Sequence, residues 1–377
     1  MVGNTYGRIF RVTASGESYG EALLTICDGV PPGLALTNED IQKDLDRRRP
    51  GTKPIDSPRQ ETDRVEIVSG MLEGHTTGAP VGMLIRNVDR HQIHVDQYRA
   101  VKDVIRPGHA EYPFFVKYGE YADWCGAGRA SGRETAGRVA AGALAKKILA
   151  KENIEILGYV KELHDIKMKD MTYDEIKANY CKNDISCPDL EAGDRMYKRC
   201  LEIKEEGDTC GGVIEVIAHG VPAGVGEPVF DKLSAALAHG MMSIGAVKGF
   251  EIGNGFEAAT QKGSQHNDIP YIDKDGRVRF KTNRSGGFLG GISIGEDLVM
   301  RIAVKPTATI SIAQSSVNME TMQNQELAAI TRRDPTICGR IVVVAEAMAA
   351  ITILDQLMMW RGYKSVAKIE NKWDLDK

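Results

Sequence analysis

Short runs with strand character open the chain, at Arg8–Thr13 and Leu23–Cys27. The sequence Gly29-Val30-Pro31-Pro32-Gly33 then makes a turn. Thr37 is a good N-cap with Asp40 three residues on, so a helix is predicted over Asn38–Arg48. The same grammar returns far downstream. Val213–Ala218 reads as a strand, Gly220-Val221-Pro222-Ala223-Gly224 as a turn and Val229–Met242 as a helix. Strand, G-V-P-x-G and helix thus occur twice, which points to two pseudo-equivalent halves.

Glu134–Lys151 is predicted as a long helix rich in Ala and Gly, whose small side chains allow close approach and a central position. From Asn153 to Asp208 the composition becomes charged, with helical patches around Asp174–Tyr180 and Asp189–Glu206, and a peripheral excursion is expected there. Gly245–Gly295 is glycine-dense and strand-like. Within it, Asp268–Arg279 reads as an exposed loop or hairpin turning at Asp275-Gly276. Pro335–Trp360 is a final buried helical region, and the tail after Lys364 is polar. No Pro-rich or Ser-rich linker divides residues 1–377, so one α/β body is expected.

Composition narrows the partners. The 377 residues are 42% hydrophobic and 27% charged, as in a soluble globular protein. A net charge of −4 gives no global attraction to nucleic acid or to an anionic membrane, so neither partner is expected. Any anion site must come from local arginine clusters. Seven scattered cysteines without a C-x-x-C suggest reduced thiols and a cytoplasmic setting. The first residues, MVGNTYGRIFRV, have no long apolar core, so a signal peptide is not expected. Ile341–Trp360 is apolar but interrupted by Glu346 and Asp355, and reads as a core helix rather than a membrane span. His91 and His94 lack a carboxylate partner set and read as surface residues, and no metal site is expected.

The chemistry concentrates in Trp124–Ala145, WCGAGRASGRETAGRVAAGALA. Glycine permits close backbone approach, arginine offers a planar fork to phosphate or carboxylate, and a helix start attracts anions. The stretch reads as a floor for a polyanionic ligand, or as a Gly-rich turn leading into a tightly packed helix. Gly126, Gly128 and Gly132 do not have dinucleotide-loop spacing, and no G-x-x-x-x-G-K-[ST] occurs. Further arginines stand at Arg47-Arg48-Arg49-Pro50-Gly51, Arg106-Pro107-Gly108-His109 and Arg332-Arg333-Asp334-Pro335. If these converge, they form a site for a phosphorylated, carboxylated small molecule. If not, they are solvated surface groups. His109 is a candidate acid or base, or a turn histidine; Asp334 is a candidate base, or a helix cap. Lys305-Pro306-Thr307-Ala308-Thr309 adds a lysine and two hydroxyls after a predicted strand.

Taken together, the segments GNTYGRIFRVTASGES, DGVPPG, DLDRRRPG, VEIVSGMLEGHTTGAPVGMLIRN, RPGHAEY, GRASGRET, HGVPAGVGEPVFDKL, VKGFEIGNGF, GGFLGGIS, VKPTATI and RRDP resemble the chorismate synthase family, in order, up to about Met359. The resemblance implies a β-α-β sandwich with helices between two antiparallel sheets, assembled as a homotetramer. It implies an anti-1,4-elimination of phosphate from 5-enolpyruvylshikimate 3-phosphate to chorismate, needing reduced FMN without net oxidation. It leaves open whether NAD(P)H serves as reductant. Carried over residue by residue, it implies that Arg48, Arg106, Arg133 and Arg332 meet substrate or flavin anions. Arg129, Ala130, Ser131, Gly245, Ala246, Gly290, Arg332 and Lys305, Pro306, Thr307, Ala308, Thr309 become flavin contacts. His109 becomes an acid near the leaving phosphate, Asp334 a proton acceptor beside the flavin, and Ser18 a residue at the start of the pocket.

Several positions depart from the family pattern. The usual G-E-S-H-G reads Gly16-Glu17-Ser18-Tyr19-Gly20, so Tyr19 stands where the family has a second candidate acid. An unperturbed Tyr titrates near about 10 against about 6.5 for His, so Tyr19 donates a hydrogen bond but carries no positive charge at neutral pH. Pro54 replaces a usual arginine, with Lys53 beside it; Ala130 replaces a serine, Gly245 an asparagine and Arg333 a histidine. Two readings follow: an active or slowed chorismate synthase, or a lapsed paralogue that binds flavin or an anion without turnover.

Overall fold

The computed structural model describes residues 3–51, 55–56, 61–328 and 334–364. The first half of the chain contains β1 (Thr5–Tyr6), β2 (Arg11–Ser15), β3 (Ala22–Asp28), α1 (Asn38–Arg48), β4 (Val65–Ile67), the small hairpin β5 (Met71–Leu72) and β6 (His75–Thr76), β7 (Val81–Arg86), α2 (Gln92–Ala100), α3 (Glu111–Tyr118) and α4 (Thr135–Ala150). The second contains β8 (Glu155–Leu163), β9 (Ile166–Lys167), α5 (Tyr173–Asn179), α6 (Leu190–Glu205), β10 (Gly212–His219), α7 (Leu233–Met242) and β11 (Val247–Ile252). It continues through α8 (Gly263–His266), β12 (Pro270–Ile272), β13 (Val278–Phe280), β14 (Phe288–Leu289), β15 (Ile292–Ser293), β16 (Leu298–Val304), β17 (Gln314–Asn318), β18 (Gln323–Leu327) and α9 (Cys338–Lys364).

Two antiparallel five-stranded sheets, ordered β1-β2-β3-β7-β4 and β11-β16-β10-β8-β9, enclose a helical layer. Helix α4 packs on β2, β3 and β7, while α9 packs on β8 and β10 and against α4. The architecture is the expected β-α-β sandwich. The expected duplication is also visible. One half runs β2-β3-α1-β7-α4 and the other β8-β10-α7-β16-α9, with β3 and β10 each central among their three strands. Both G-V-P-x-G turns place their two glycines at positive φ. One hydrophobic cluster runs from Phe10 through Leu144 and Val160 to Leu357 and joins the halves.

Local chemistry explains several elements. Thr37 and Asp40 form the expected capping box on α1. The closeness of the central helices depends on Gly142 of α4, where a Cβ would lie 2.3 Å from the Ala347 Cβ. Any side chain there would force the two helices apart. Helix α9 is long and apolar enough to cross a membrane by composition, yet it is buried between the sheets. Its two acids are both satisfied. Asp355 accepts the backbone N–H groups of Arg8, Ile9 and Phe10 at 2.7–3.0 Å, pinning the first strands to α9. Glu346 accepts both terminal nitrogens of Arg47 at 2.8 Å, Lys146 Nζ at 2.8 Å and the Gly158 N–H at 3.0 Å. That one carboxylate ties α1, α4, α9 and β8 together.

Some expectations need correction. The strand expected from Arg8 is β2 and begins at Arg11, because Arg8–Phe10 give their N–H groups to Asp355 instead of a neighbouring strand. Helix α7 begins at Leu233 rather than Val229. The stretch 153–208 is not wholly peripheral. Residues 155–163 form a buried strand between β10 and β9, with Tyr159 among the largest fully buried side chains. Its glutamates and lysine misled the composition-based reading. Lys161 and Tyr159 are in fact matched to buried Glu215 of β10, Lys161 Nζ at 2.9 Å. The polar tail after Lys364 lies outside the described residues.

Burial would raise the Glu346 carboxyl, but Lys146 and Arg47 outweigh it and hold it at about 2. A depressed folded value gives stability that is complete above the unfolded value of about 4.3 and is lost as pH falls toward about 2. Glu346→Gln is therefore expected to cost about 3–5 kcal/mol at pH 7, with the difference from the unmodified protein shrinking below about pH 4. Urea unfolding at several pH values checks this. A constant difference across the range would contradict it.

Candidate active site

The two central helices both begin at one hollow of about 1150 Å³. Residues 131–135 and Arg138 at the start of α4, and Ile337, Arg340, Ile341 and Val344 at the start of α9, line it. Each helix start carries roughly half a positive charge, so the pseudo-symmetry of the fold aims two positive helix ends at one cavity. Among the described lining residues, six arginines and two lysines face five carboxylates. A chain of net charge −4 thus keeps a local excess of positive charge where an anion can enter.

Buried carboxylates hold the arginines. Asp63 is fully buried between Arg48, whose Nη1 donates to Oδ2 at 2.7 Å, and Arg133, whose Nη1 donates to Oδ1. Burial alone would raise the Asp63 carboxyl, but the two guanidiniums outweigh it and keep it below the usual carboxylate range. Arg48 also donates to the Gly132 carbonyl at 2.8 Å, and Arg133 Nε to Asn87 Oδ1 at 2.6 Å. Arg106 donates through Nε and Nη2 to Glu111 Oε1, at 2.7 Å for Nε, and its guanidinium lies over the Tyr98 ring. Arg340 pairs with Asp334.

The candidate proton-handling groups sit among them. The Ala110 N–H donates to His109 Nδ1 at 2.8 Å, which leaves the proton of a neutral ring on Nε2. Glu111 Oε1 lies 3.3 Å from the same Nδ1, positioned to partner the ring when it is protonated. Residues Glu17–Gly20 form a β-turn closed by the Gly20 N–H to the Glu17 carbonyl at 3.2 Å, with Ser18 and Tyr19 at its centre. Ser131 Oγ donates to Ser18 Oγ at 3.3 Å. The Tyr19 ring meets Tyr98 edge-on at 5.5 Å and lies against the backbone of Gly126. A Cβ on Gly126, which has φ +58°, would stand 2.6 Å from that ring. The glycine is therefore required twice, by its left-handed backbone and by the tyrosine above it. Lys305 borders the Gly108 turn; burial, aided by Lys248, pulls its ammonium below the usual range. An anion beside Lys305 would reverse that shift.

A profile of the chorismate synthase family matches residues 10–358. The chain belongs to the chorismate synthase family. It is 55% identical to the chorismate synthase of Acetivibrio thermocellus, over 99% of this chain and all of that one. It is 51% identical to that of Methanococcoides burtonii, over 95% of this chain and 96% of the other. A crystal structure of a chorismate synthase superposes with a TM-score of 0.72 at 31% identity, covering 94% of this chain and 92% of that one.

Most residues singled out from the sequence line the one hollow: Ser18, Tyr19, Arg48, Arg106, His109, Arg129, Ala130, Ser131, Arg133, Gly245, Ala246, Lys305, Thr307, Ala308, Thr309 and Asp334. Two of the described ones do not. Gly290 sits in the tight turn between β14 and β15, off the cavity wall of the single chain. Pro306 is passed over between its neighbours, and Arg332 lies outside the described residues, as do Lys53, Pro54 and Arg333. Arg129 reaches the wall, but its guanidinium is spent on the Gly16 and Ala14 carbonyls at 3.0 Å and on Asn4 at 2.9 Å. It braces the segment leading into the Ser18–Tyr19 turn. Sequence reasoning missed Arg138 and Arg340, which each follow a glycine but lie inside predicted helices rather than in loops. It also missed Asp63, Asn87 and Glu111, the groups that hold the arginines.

Gly126→Ala is expected to push Tyr19 out of place and lower turnover about tenfold or more, with a stability loss of roughly 1–2 kcal/mol from the left-handed backbone. Steady-state kinetics beside thermal unfolding checks it. Wild-type turnover would show that the position of Tyr19 is immaterial.

Proposed function

We propose that this chain is a carbon–oxygen lyase that eliminates phosphate from 5-enolpyruvylshikimate 3-phosphate to form chorismate. The observation that carries the reading is the basic hollow assembled from residues 18–19, 48, 106, 108–109, 129–133, 245–246, 305, 307–309 and 334, together with membership of the family. The substrate brings two carboxylates and a phosphate, and an arginine-lined pocket out of water binds such a polyanion strongly.

The cavity fits reduced FMN as well. Its volume exceeds the roughly 300–1,000 Å³ of a single-ligand pocket, which leaves room for substrate and flavin together. Gly132 and Gly245 line it with no atom within 4 Å of an ideal Cβ, so the backbone there leaves space for a close, flat ligand. Ser131, Gly245, Ala246 and Lys305 to Thr309 would hold the cofactor, and Arg332 is assigned to the same task. When bound, reduced FMN supplies transient electron density that compensates the poor acidity of the C6 proton.

The protein's own part is position, charge and protonation. The C3–O bond breaks with its electron pair leaving on phosphate, the C1–C2 double bond moves to C2–C3, and the C6–H electron pair becomes the C1–C6 double bond as the proton leaves to a base in the cavity. Arg48, Arg133 and Arg106 orient the anionic groups, held in place by Asp63 and Glu111. His109, with Nε2 carrying the proton, is placed to donate to the departing phosphate. Asp334, paired with Arg340, is the carboxylate that accepts a proton within the cavity. Tyr19 supplies a neutral hydrogen bond where a cation is usual in the family. The retained arginines, His109, Asp334 and Ser18 favour the active form over a lapsed flavin-binding paralogue.

A homotetramer in the cytoplasm completes the proposal. Phe230 and Phe256 stand almost fully exposed, surface that copies of the chain would cover. NAD(P)H is the reductant to try beside chemically reduced flavin. The direct test is anaerobic chorismate formation with dithionite-reduced FMN. Product at a steady rate is expected, and folded, flavin-binding protein that makes none would exclude the enzyme reading. Tyr19→His is expected to raise turnover with little change in substrate KM, since a positioned general acid is worth about 10²- to 10⁴-fold. An unchanged rate would mean that Tyr19 does not limit proton transfer.

A further inference from the structure

We propose that Asn87 is a positioning residue that locks the Ser18–Tyr19 turn to Arg133, so that the turn and the buried arginine present a single rigid wall to the substrate. Asn87 follows β7 directly and is itself buried and off the cavity wall. Its amide uses every direction. Nδ2 donates to the Glu17 carbonyl at 3.0 Å and to the Gly20 carbonyl at 2.7 Å, the first and last residues of the turn. Oδ1 accepts from Arg133 Nε at 2.6 Å. Its backbone N–H donates to the Glu21 carbonyl at 3.1 Å.

The Asn87 amide thus spans both ends of the turn. Arg129 grips the chain earlier, at Ala14 and Gly16, and Gly126 supports Tyr19 from beneath. Without the Asn87 amide, the Glu17 and Gly20 carbonyls would lose buried donors, and the turn would be left to the Ser131–Ser18 contact and the backbone bonds beside it. Arg133 would keep Asp63 but lose the bond that orients its Nε edge. A side-chain amide is the one group of this size that donates twice and accepts at once. Misplacement by about 1 Å of groups facing a reacting centre costs up to about 10²-fold in rate.

The inference rests on the chorismate synthase reading, and the experiment separates the two. Asn87→Asp keeps an acceptor for Arg133 and removes both donors to the turn. With reduced FMN, and with rates normalised to folded enzyme, kcat is expected to fall about tenfold or more while the KM for 5-enolpyruvylshikimate 3-phosphate stays within about threefold. A kcat per folded enzyme equal to wild type would overturn the proposal, and so would a rise in KM with kcat unchanged. A crystal structure of the variant with the 17–20 turn unmoved would overturn it as well. Should Asn87→Asp fail to fold, Asn87→Ser retains one donor and is expected to show an intermediate loss of kcat; a full rate would refute the idea. Inactive wild-type enzyme would instead count against the chorismate synthase reading itself.

Discussion

Asp63 is the charge on which the site depends. Two guanidiniums a few ångströms apart repel one another, and neither is readily buried alone. One carboxylate between Arg48 and Arg133 neutralises half of their charge and supplies a fixed acceptor for each. Glu61, also buried, lies 3.7 Å from Arg133 Nη2, so buried acids balance the two guanidiniums and set their geometry. Removing an anchor of this kind leaves buried charge uncompensated, which is more costly than never having built the pair. Glu111 does the same for Arg106, as Asp334 and Arg340 do for each other. The hollow is therefore a lattice of arginines already partnered by acids, with the excess charge left for a ligand.

The fold provides that lattice through its duplication. Each half contributes a three-stranded core, a short helix and one long central helix, and both long helices start at the hollow. Their closeness depends on a glycine facing an alanine, Gly142 against Ala347. Glu346 and Asp355 then fasten the second half's helix to the first half's strands and helices. Packing in the middle of the sandwich and anion binding at its end are two results of one arrangement.

The sequence announced what lies near in the chain and hid what is paired across it. Helix α1 was legible to the residue because Thr37 and Asp40 mark its start, and the repeated G-V-P-x-G turns disclosed the halves. The arginine-rich loops pointed to a polyanion because guanidinium chemistry is visible in the residue type. Strand β8 was misread because its Lys161 finds its carboxylate only in Glu215, more than fifty residues on. Asp63 and Asn87 gave no signal, since a lone acid or amide in a polar stretch means nothing until its partner is beside it. Gly290 carried a role by resemblance that the geometry of one chain does not bring to the cavity.

Flavin and substrate are expected together in this one hollow. A crystal structure of the protein with FMN and 5-enolpyruvylshikimate 3-phosphate tests it most directly. Both molecules are expected in the cavity, the phosphoester among Arg48, Arg106 and Arg133 and the flavin along Ser131, Gly245 and Lys305. Flavin bound on another face of the molecule, or a substrate that makes no contact with those arginines, would contradict it.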